Sequence, residues 1–453
     1  MRRSRLSDRV GSAVAAFRAT GPSQLRGHVR AAAGLAVEVS GLSQSLVVGD
    51  RVRMASRSGD LIAAEIIGFQ GGMALAMPFG HVEGLGPGSM VFADGTASDS
   101  GGLAVSASWI GRVLDPLARP LDGRGALPDG PTRRLTRCLP PAATERGRLG
   151  SVVEFGVRAL DIFTTCRKGQ RIGLFAGSGV GKSTLLSMLA RRADCDVIVI
   201  ALVGERGREV REFLEDTLGP EGMARSVVVV ATSDSPPLMR REAAYTAMTI
   251  AETFRDEGKN VLLMVDSVTR FCLALREIGL SAGQPPATRG YPPSVFAELP
   301  RLLERAGPGP ETVDGHGFIS AVFTVLVEGD DQTEPVADAV RGILDGHIVL
   351  DRKIAEQGRY PAVDVLRSLS RSAPGCNTLE QRAIIKKARK AIASYSELSE
   401  MIRLGAYRPG SDPDVDDDVR RGPLIEALLG QDSHDQFSMN DSFEALAKVF
   451  ADG

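Results

Sequence analysis

Between Arg171 and Leu186 the chain reads RIGLFAGSGVGKSTLL: an apolar segment, a glycine-rich turn, then Lys182, Ser183 and Thr184 at the head of a second apolar run. Strand, loop and helix in that order are the setting in which such a turn cradles phosphate. Gly177, Gly179 and Gly181 free the backbone to point successive N–H groups inward as an anion nest. The helix starting near Lys182 adds the positive end of its dipole. In this chemistry Lys182 reaches the β- and γ-phosphates and the Ser183 hydroxyl ligates Mg²⁺. Ala176, Ser178, Val180 and Thr184 complete the loop, and Ala176 stands one methyl group away from the glycine that usually opens the motif. The plain alternative is a glycine-rich turn with an incidental lysine, and the flanking strand and helix argue against it. A nucleoside triphosphate is the expected ligand.

Two carboxylates fit the same chemistry. VLLMVDSVTR (261–270) ends an apolar strand in Asp266, where a carboxylate can hold the hydration shell of Mg²⁺ through water. VGERGREV (203–210) ends another in Glu205, well placed to orient a water attacking a γ-phosphate. From the residues alone Glu205 reads equally well as a helix-start glutamate that favours the dipole.

These side chains need a scaffold, and 453 residues suffice for two or three domains with a sizeable core. Continuous Val/Ile/Leu runs at 171–175, 196–203, 226–231, 261–266, 317–327 and 347–350 match strands covered on both faces, as in a parallel sheet. Stretches such as 242–257 read as the intervening helices. Short β-type runs over 24–95, separated by Gly, Ser and Asp turns, predict a small antiparallel barrel acting as a structural collar. Residues 96–150 read as a connecting region with turn chemistry at Asp115–Pro116, Arg119–Pro120 and Asp122–Gly123. The core domain spans 151–371, and 372–453 is helical, with periodic apolar positions over 378–403 and a last amphipathic helix over 441–450. SDPDVDDD (411–418) reads as a solvated acidic turn rather than a site for basic partners. Residues 1–23 pattern as a short amphipathic helix with a basic face, either docking a partner or acidic lipid head groups or simply solvated. The fold class is therefore α/β: a P-loop domain with a parallel sheet, a β-barrel before it and helices after it.

Composition narrows the function. A net charge of −2 and no aromatics interleaved with basic residues argue against a nucleic-acid-coating protein. Five scattered cysteines read as free thiols in a reducing cytosol, and five histidines without ligand spacing speak against a structural metal. No apolar run reaches the ~20 residues that span a bilayer, and no secretory signal pattern follows the basic start.

The set AGSGVGKST, VGERGREV, VDSVTRF and RYPAVDVLRSLSR (359–371) resembles the rotary ATPase family, the α and β subunits of ATP synthase and their relatives. Within it, GRVLDPLARPLDG (111–123), RGYPPSVFAELPRLLERAG (289–307), EGDDQTEPVADAVRGILDGHIVLDR (328–352) and LGAYRPGSDPDVD (404–416) resemble the ATPases of type III protein export, the flagellar members first and the injectisome members as near relatives. The resemblance implies a RecA-like core and ATP hydrolysis with Mg²⁺. It makes Glu205 the water-polarising carboxylate, puts Arg206 and Arg270 near the γ-phosphate, and stacks Tyr360 on adenine. It makes Arg371 a finger supplied to a neighbour's pocket, hence a homohexameric ring. Stalk-like and regulatory proteins and export chaperone–substrate complexes are the implied partners, at the cytoplasmic face of the inner membrane near the export gate. Two rivals are a hexameric RNA translocase, which needs a basic, aromatic-bearing barrel face, and a non-catalytic ring subunit, which lacks the equivalent of Glu205.

Overall fold

The computed structural model describes residues 25–93, 101–311, 316–327, 334–410 and 412–451. The expected N-terminal amphipathic helix lies outside them. The chain divides into a unit of residues 1–102, 235–239 and 274–292 and a larger one of 103–234, 240–273 and 293–453.

In the smaller unit, six antiparallel strands close into a barrel: β1 (Leu25–Ala33), β2 (Ala36–Ser40), β3 (Arg51–Ala55), β4 (Leu61–Gln70), β5 (Met73–Pro78) and β6 (Met90–Ala93), in the order 1-2-5-4-3-6. Strict alternation sends Val37 and Val39 of β2, and Val52 and Met54 of β3, inward to a core shared with Val29, Ile66 and Val91. Closure leaves no unpaired edge. The antiparallel barrel expected from the turn-punctuated runs is present, with β6 added to the strands read from the sequence.

The larger unit is built on a mostly parallel sheet. Its main elements in chain order are β7 (Val113–Leu114), α1 (Arg158–Phe163), β8 (Arg171–Ala176), α2 (Lys182–Arg192), β9 (Val197–Glu205), β10 (Ser226–Thr232), α3 (Pro237–Asp256, belonging to this unit from residue 240), β11 (Asn260–Asp266), α4 (Val268–Ser281, belonging to this unit up to residue 273), α5 (Pro293–Leu303), β12 (Phe318–Leu326), α6 (Pro335–Ile343), β13 (Gly346–Val349) and β14 (Leu369–Ser370). The strand order is 14-13-8-12-11-9-10-7, parallel except for the edge strand β14. β9 is buried along eight consecutive residues, the burial that its unbroken Val/Ile/Ala/Leu run requires. Parallel pairing sends β8, β9 and β11 to one edge of the sheet with their C-terminal ends together. β7 comes from the stretch read as a connecting region, and it extends the sheet by pairing with β10.

Three helices follow: α7 (Leu379–Arg403), α8 (Pro413–Leu429) and α9 (Met439–Ala451). Thr378 and Gln381 form a reciprocal capping box at the start of α7. The acidic run read as a turn is helical instead. The Asp412 carboxylate caps α8 by accepting from Asp414 N–H at 2.9 Å, Pro413 occupies the first turn, and Asp414 and Asp416 face the positive helix end, where acid is favoured. Gly422 lets α8 approach α7 closely, since a Cβ there would sit 2.4 Å from Cβ of Tyr395.

One buried ion pair ties the extended stretch around Thr136 to α3. Arg305, whose side chain is wholly buried, donates to both oxygens of Glu252 (2.9 and 2.7 Å), to Thr136 O (2.7 Å) and to Thr249 Oγ1 (3.0 Å). Arg305→Met leaves the Glu252 carboxylate uncompensated and is expected to cost about 3–5 kcal/mol, with Glu252→Gln in the same chain recovering part of it. Urea denaturation of the parent and both variants checks this, and an Arg305→Met chain as stable as the parent rules the pair out as a stabilising tie.

Candidate active site

The phosphate loop leaves β8 after Ala176, and Gly179 and Gly181 take left-handed φ of 77° and 91°. Gly181 occupies the N-cap position of α2 and, having no side chain, caps none of the first-turn N–H groups. Those donors therefore face outward for an anion. Ser178, Gly179, Ser183 and Thr184 are exposed, while Val180 is buried and anchors the loop. Arg352 Nη2 donates to Ser178 O at 3.1 Å and steadies the loop from outside.

Lys182 at the head of α2 lies between both strand-end carboxylates. Its ammonium donates to Asp266 Oδ1 at 2.5 Å and to Glu205 Oε1 at 3.2 Å. The three side chains are 13%, 5% and 16% exposed respectively. Burial alone would lower the lysine's proton affinity, but the two carboxylates outweigh it and raise it. Glu205 is shifted upward first by burial and then by the Asp266 charge, against the opposing pull of Lys182. Thr324 Oγ1 donates to Asp266 Oδ1 at 2.7 Å and orients that carboxylate. Parallel pairing of β11 with β12 brings the two residues together, because Val265 lies opposite Phe323.

Ser183, Glu205 and Asp266 line one cleft of about 130 Å³, together with Glu209, Glu212 and Thr217. Its donor set of one hydroxyl and one strand-end carboxylate is all-oxygen and suits a hard, water-retaining cation such as Mg²⁺. Arg270 follows Asp266 closely and packs its stem on Gly204, next to Glu205. Arg206 is exposed and pairs with Glu209 at 3.4 Å. The ring of Tyr360, 44% exposed, borders Gly181. Arg371 is exposed, and its backbone N–H donates to Asp345 O at 3.0 Å.

Thr324, Arg352 and Glu209 escaped the reading of the sequence. Thr324 carried a signal, a lone hydroxyl inside the apolar run AVFTVL, but its neighbour across the sheet is known only once the strand order is. Arg352 and Glu209 carried none.

Gly181→Ala forces a left-handed alanine, worth roughly 1–2 kcal/mol, and sets a methyl 3.3 Å from the Tyr360 ring. Loss of nucleotide affinity larger than loss of stability is expected, measured by analogue titration beside thermal unfolding; equal affinity would separate the loop conformation from binding.

Residues 156–370 match the ATP synthase alpha/beta family, nucleotide-binding domain, and residues 378–448 match the T3SS EscN ATPase C-terminal domain. The flagellum-specific ATP synthase of Caulobacter vibrioides is 51% identical over 97% of this chain and 98% of its own length. That of Bacillus subtilis is 48% identical over 93% and 94%. Among solved structures, the assembled ATPase EscN of the enteropathogenic E. coli type III secretion system has a TM-score of 0.84 at 41% identity, covering 93% of this chain and 99% of that one. EscN in complex with its central stalk EscO has a TM-score of 0.82 at 40% identity, over 93% and 99%. A chain that carries a triphosphate-type loop, two strand-end carboxylates and this likeness from barrel to last helix belongs to the ATP synthase alpha/beta family, as an ATPase of its flagellar and type III secretion branch.

Proposed function

We propose that this chain hydrolyses ATP with Mg²⁺ at the interfaces of a homohexameric ring, and that the work drives or primes export of flagellar proteins through a type III apparatus. One observation carries the reading: a P-loop lysine is shared at 2.5 and 3.2 Å between two carboxylates at the ends of neighbouring strands. That arrangement gathers the charges a triphosphate hydrolase needs in a single cleft.

Position supports each role. N–H groups of the loop from Ala176 to Thr184, with the Lys182 ammonium, neutralise the phosphates. Glu205 orients a water in line with the γ-phosphate and takes its proton, a task its raised proton affinity suits. Ser183 and, through water, Asp266 would hold Mg²⁺, which when bound neutralises charge on the β- and γ-phosphate oxygens. Arg206 and Arg270 stand beside Glu205 to meet the γ-phosphate, and the Tyr360 ring stacks on adenine. The exposed Arg371 serves the pocket of a neighbouring copy, where such a finger is worth about 10³-fold or more.

Closing and opening of each interface then moves the helical C-terminal part against a stalk-like partner, as export chaperones deliver cargo. Regulatory proteins of the apparatus complete the set of partners. The site of action is the cytoplasmic face of the inner membrane near the export gate. Among the described residues no helix is long and apolar enough to cross a membrane, which fits peripheral attachment.

Glu205→Gln is expected to bind ATP normally and to lose turnover by about 10²-fold or more. Because Glu205 must be ionised to accept a proton, parent turnover should fall as pH drops through a value above the ordinary glutamate range near ~4.3. A stopped-flow profile whose acid limb lies at that ordinary value, or full activity in Glu205→Gln, removes the residue from the mechanism. Arg371→Ala rings should be inactive but regain turnover when mixed with Lys182→Ala copies, each supplying what the other lacks; steady-state assays of homogeneous and mixed rings decide it. Deleting the gene separates the export systems: lost filaments and swimming mark the flagellar role, whereas intact swimming with lost effector secretion marks the injectisome.

A further inference from the structure

Gln431, just past α8, is only 6% exposed, and both ends of its carboxamide bond to backbone. Its Nε2 donates to Gly156 O at 2.8 Å and to Asp435 O at 3.4 Å, while Oε1 accepts from the Arg158 N–H at 3.1 Å. The stretch it grips, which leads into α1, is itself held by the buried Asp161 carboxylate. That group accepts from the Phe155 N–H at 2.8 Å and from the Val157 N–H at 3.1 Å. A buried glutamine with donor and acceptor both engaged on a braced loop has one place to sit. Its backbone N–H then donates to Tyr360 O at 2.7 Å.

Tyr360 is directed by its backbone. Its ring is exposed and borders Gly181, a contact without polar atoms, and among the described residues its hydroxyl makes no hydrogen bond. Dispersion contact with a glycine holds a ring loosely, since each atom pair contributes little. The main chain around it is fastened more firmly. Arg359 donates to Pro361 O at 3.0 Å and to Val363 O at 2.8 Å, and it pairs with Glu426 of α8 at 2.6 Å. At the Tyr360 carbonyl itself the bond comes from Gln431.

Building on the stacking role proposed above for Tyr360, we infer that Gln431 is a positioning residue for the nucleotide base, acting through the Tyr360 carbonyl. Stacking needs the ring face parallel to the base and near it, so a shift of the main chain at Tyr360 weakens it. The triphosphate end is gripped separately, by Lys182 and the loop N–H groups. Gln431 therefore governs how tightly a base is held and leaves the hold on phosphate alone.

The test titrates the full chain, by calorimetry with Mg²⁺, with a non-hydrolysable ATP analogue and with inorganic tripolyphosphate, which has no base. Gln431→Met keeps the length of the side chain and removes its carboxamide bonds. It should weaken the analogue about tenfold and leave tripolyphosphate bound as in the parent. A merely structural defect would weaken both ligands together, and that result overturns the role of Gln431. Tyr360→Ala tests the stacking role separately. If it leaves the parent's preference for the analogue over tripolyphosphate intact, the stacking role falls and that of Gln431 with it. If Tyr360→Ala removes the preference but Gln431→Met keeps it, only the role of Gln431 falls. The two losses should not add, because the ring through which Gln431 acts is gone in Tyr360→Ala; additive losses in the double variant overturn the role. Should Gln431→Met fold poorly, Gln431→Glu decides by the same two titrations. It keeps the bond from the Arg158 N–H, loses the donor to Gly156 O, and should weaken the analogue alone.

Discussion

An ammonium held between two buried carboxylates is the constraint around which this molecule is built. Placing three charges in a mostly buried cleft is costly, since each ion loses several kcal/mol of hydration. The cost is offset only if Lys182, Asp266 and Glu205 meet at hydrogen-bond distance, as they do. Burial first, and then the negative charge of Asp266, make Glu205 hold a proton more tightly than a free glutamate, against the pull of Lys182. A proton acceptor and a cation-attracting surface therefore arise from a single arrangement.

That arrangement depends on the order of strands. Asp266 and Glu205 end adjacent parallel strands, and neighbouring strands lie about 4.8 Å apart. Lys182 reaches both because β8 lies on the same edge, separated from β11 only by β12. β12 is more than a spacer, because its Thr324 hydroxyl grips the carboxylate that Lys182 shares. The unbroken apolar runs of the sheet thus serve chemistry indirectly, by holding polar strand ends in fixed register.

The helical C-terminal region is bonded to the segment that borders the phosphate loop. Gln431, just past α8, donates its backbone N–H to Tyr360 O at 2.7 Å, and its side-chain amide bonds Gly156 O and the Arg158 N–H. Arg359 pairs with Glu426 of α8 at 2.6 Å. The segment whose Tyr360 ring borders Gly181 is therefore fastened to the C-terminal helices on one side and to the phosphate loop on the other. Movement of those helices has a short covalent and hydrogen-bonded route to the proposed base site.

The sequence by itself determined the parts whose physics is local. Glycines in a strand-to-helix turn dictate the phosphate loop, apolar run length dictates buried strands, and alternation over short runs dictates the barrel. Lys182, Ser183, Asp266 and Glu205 were readable because each terminates such a pattern. Tyr360, Arg206, Arg270 and Arg371 carried no local signal of their own and were identified through family resemblance alone. SDPDVDDD looked like a solvated turn because a run of like charge gives no apolar period, yet a helix N-terminus stabilises that charge and made it helical. Only the tertiary structure decided which strand ends meet and that Thr324 and Arg352 support the site. Those facts depend on strand order and on contacts between residues up to hundreds of positions apart, which no local spacing along a chain encodes.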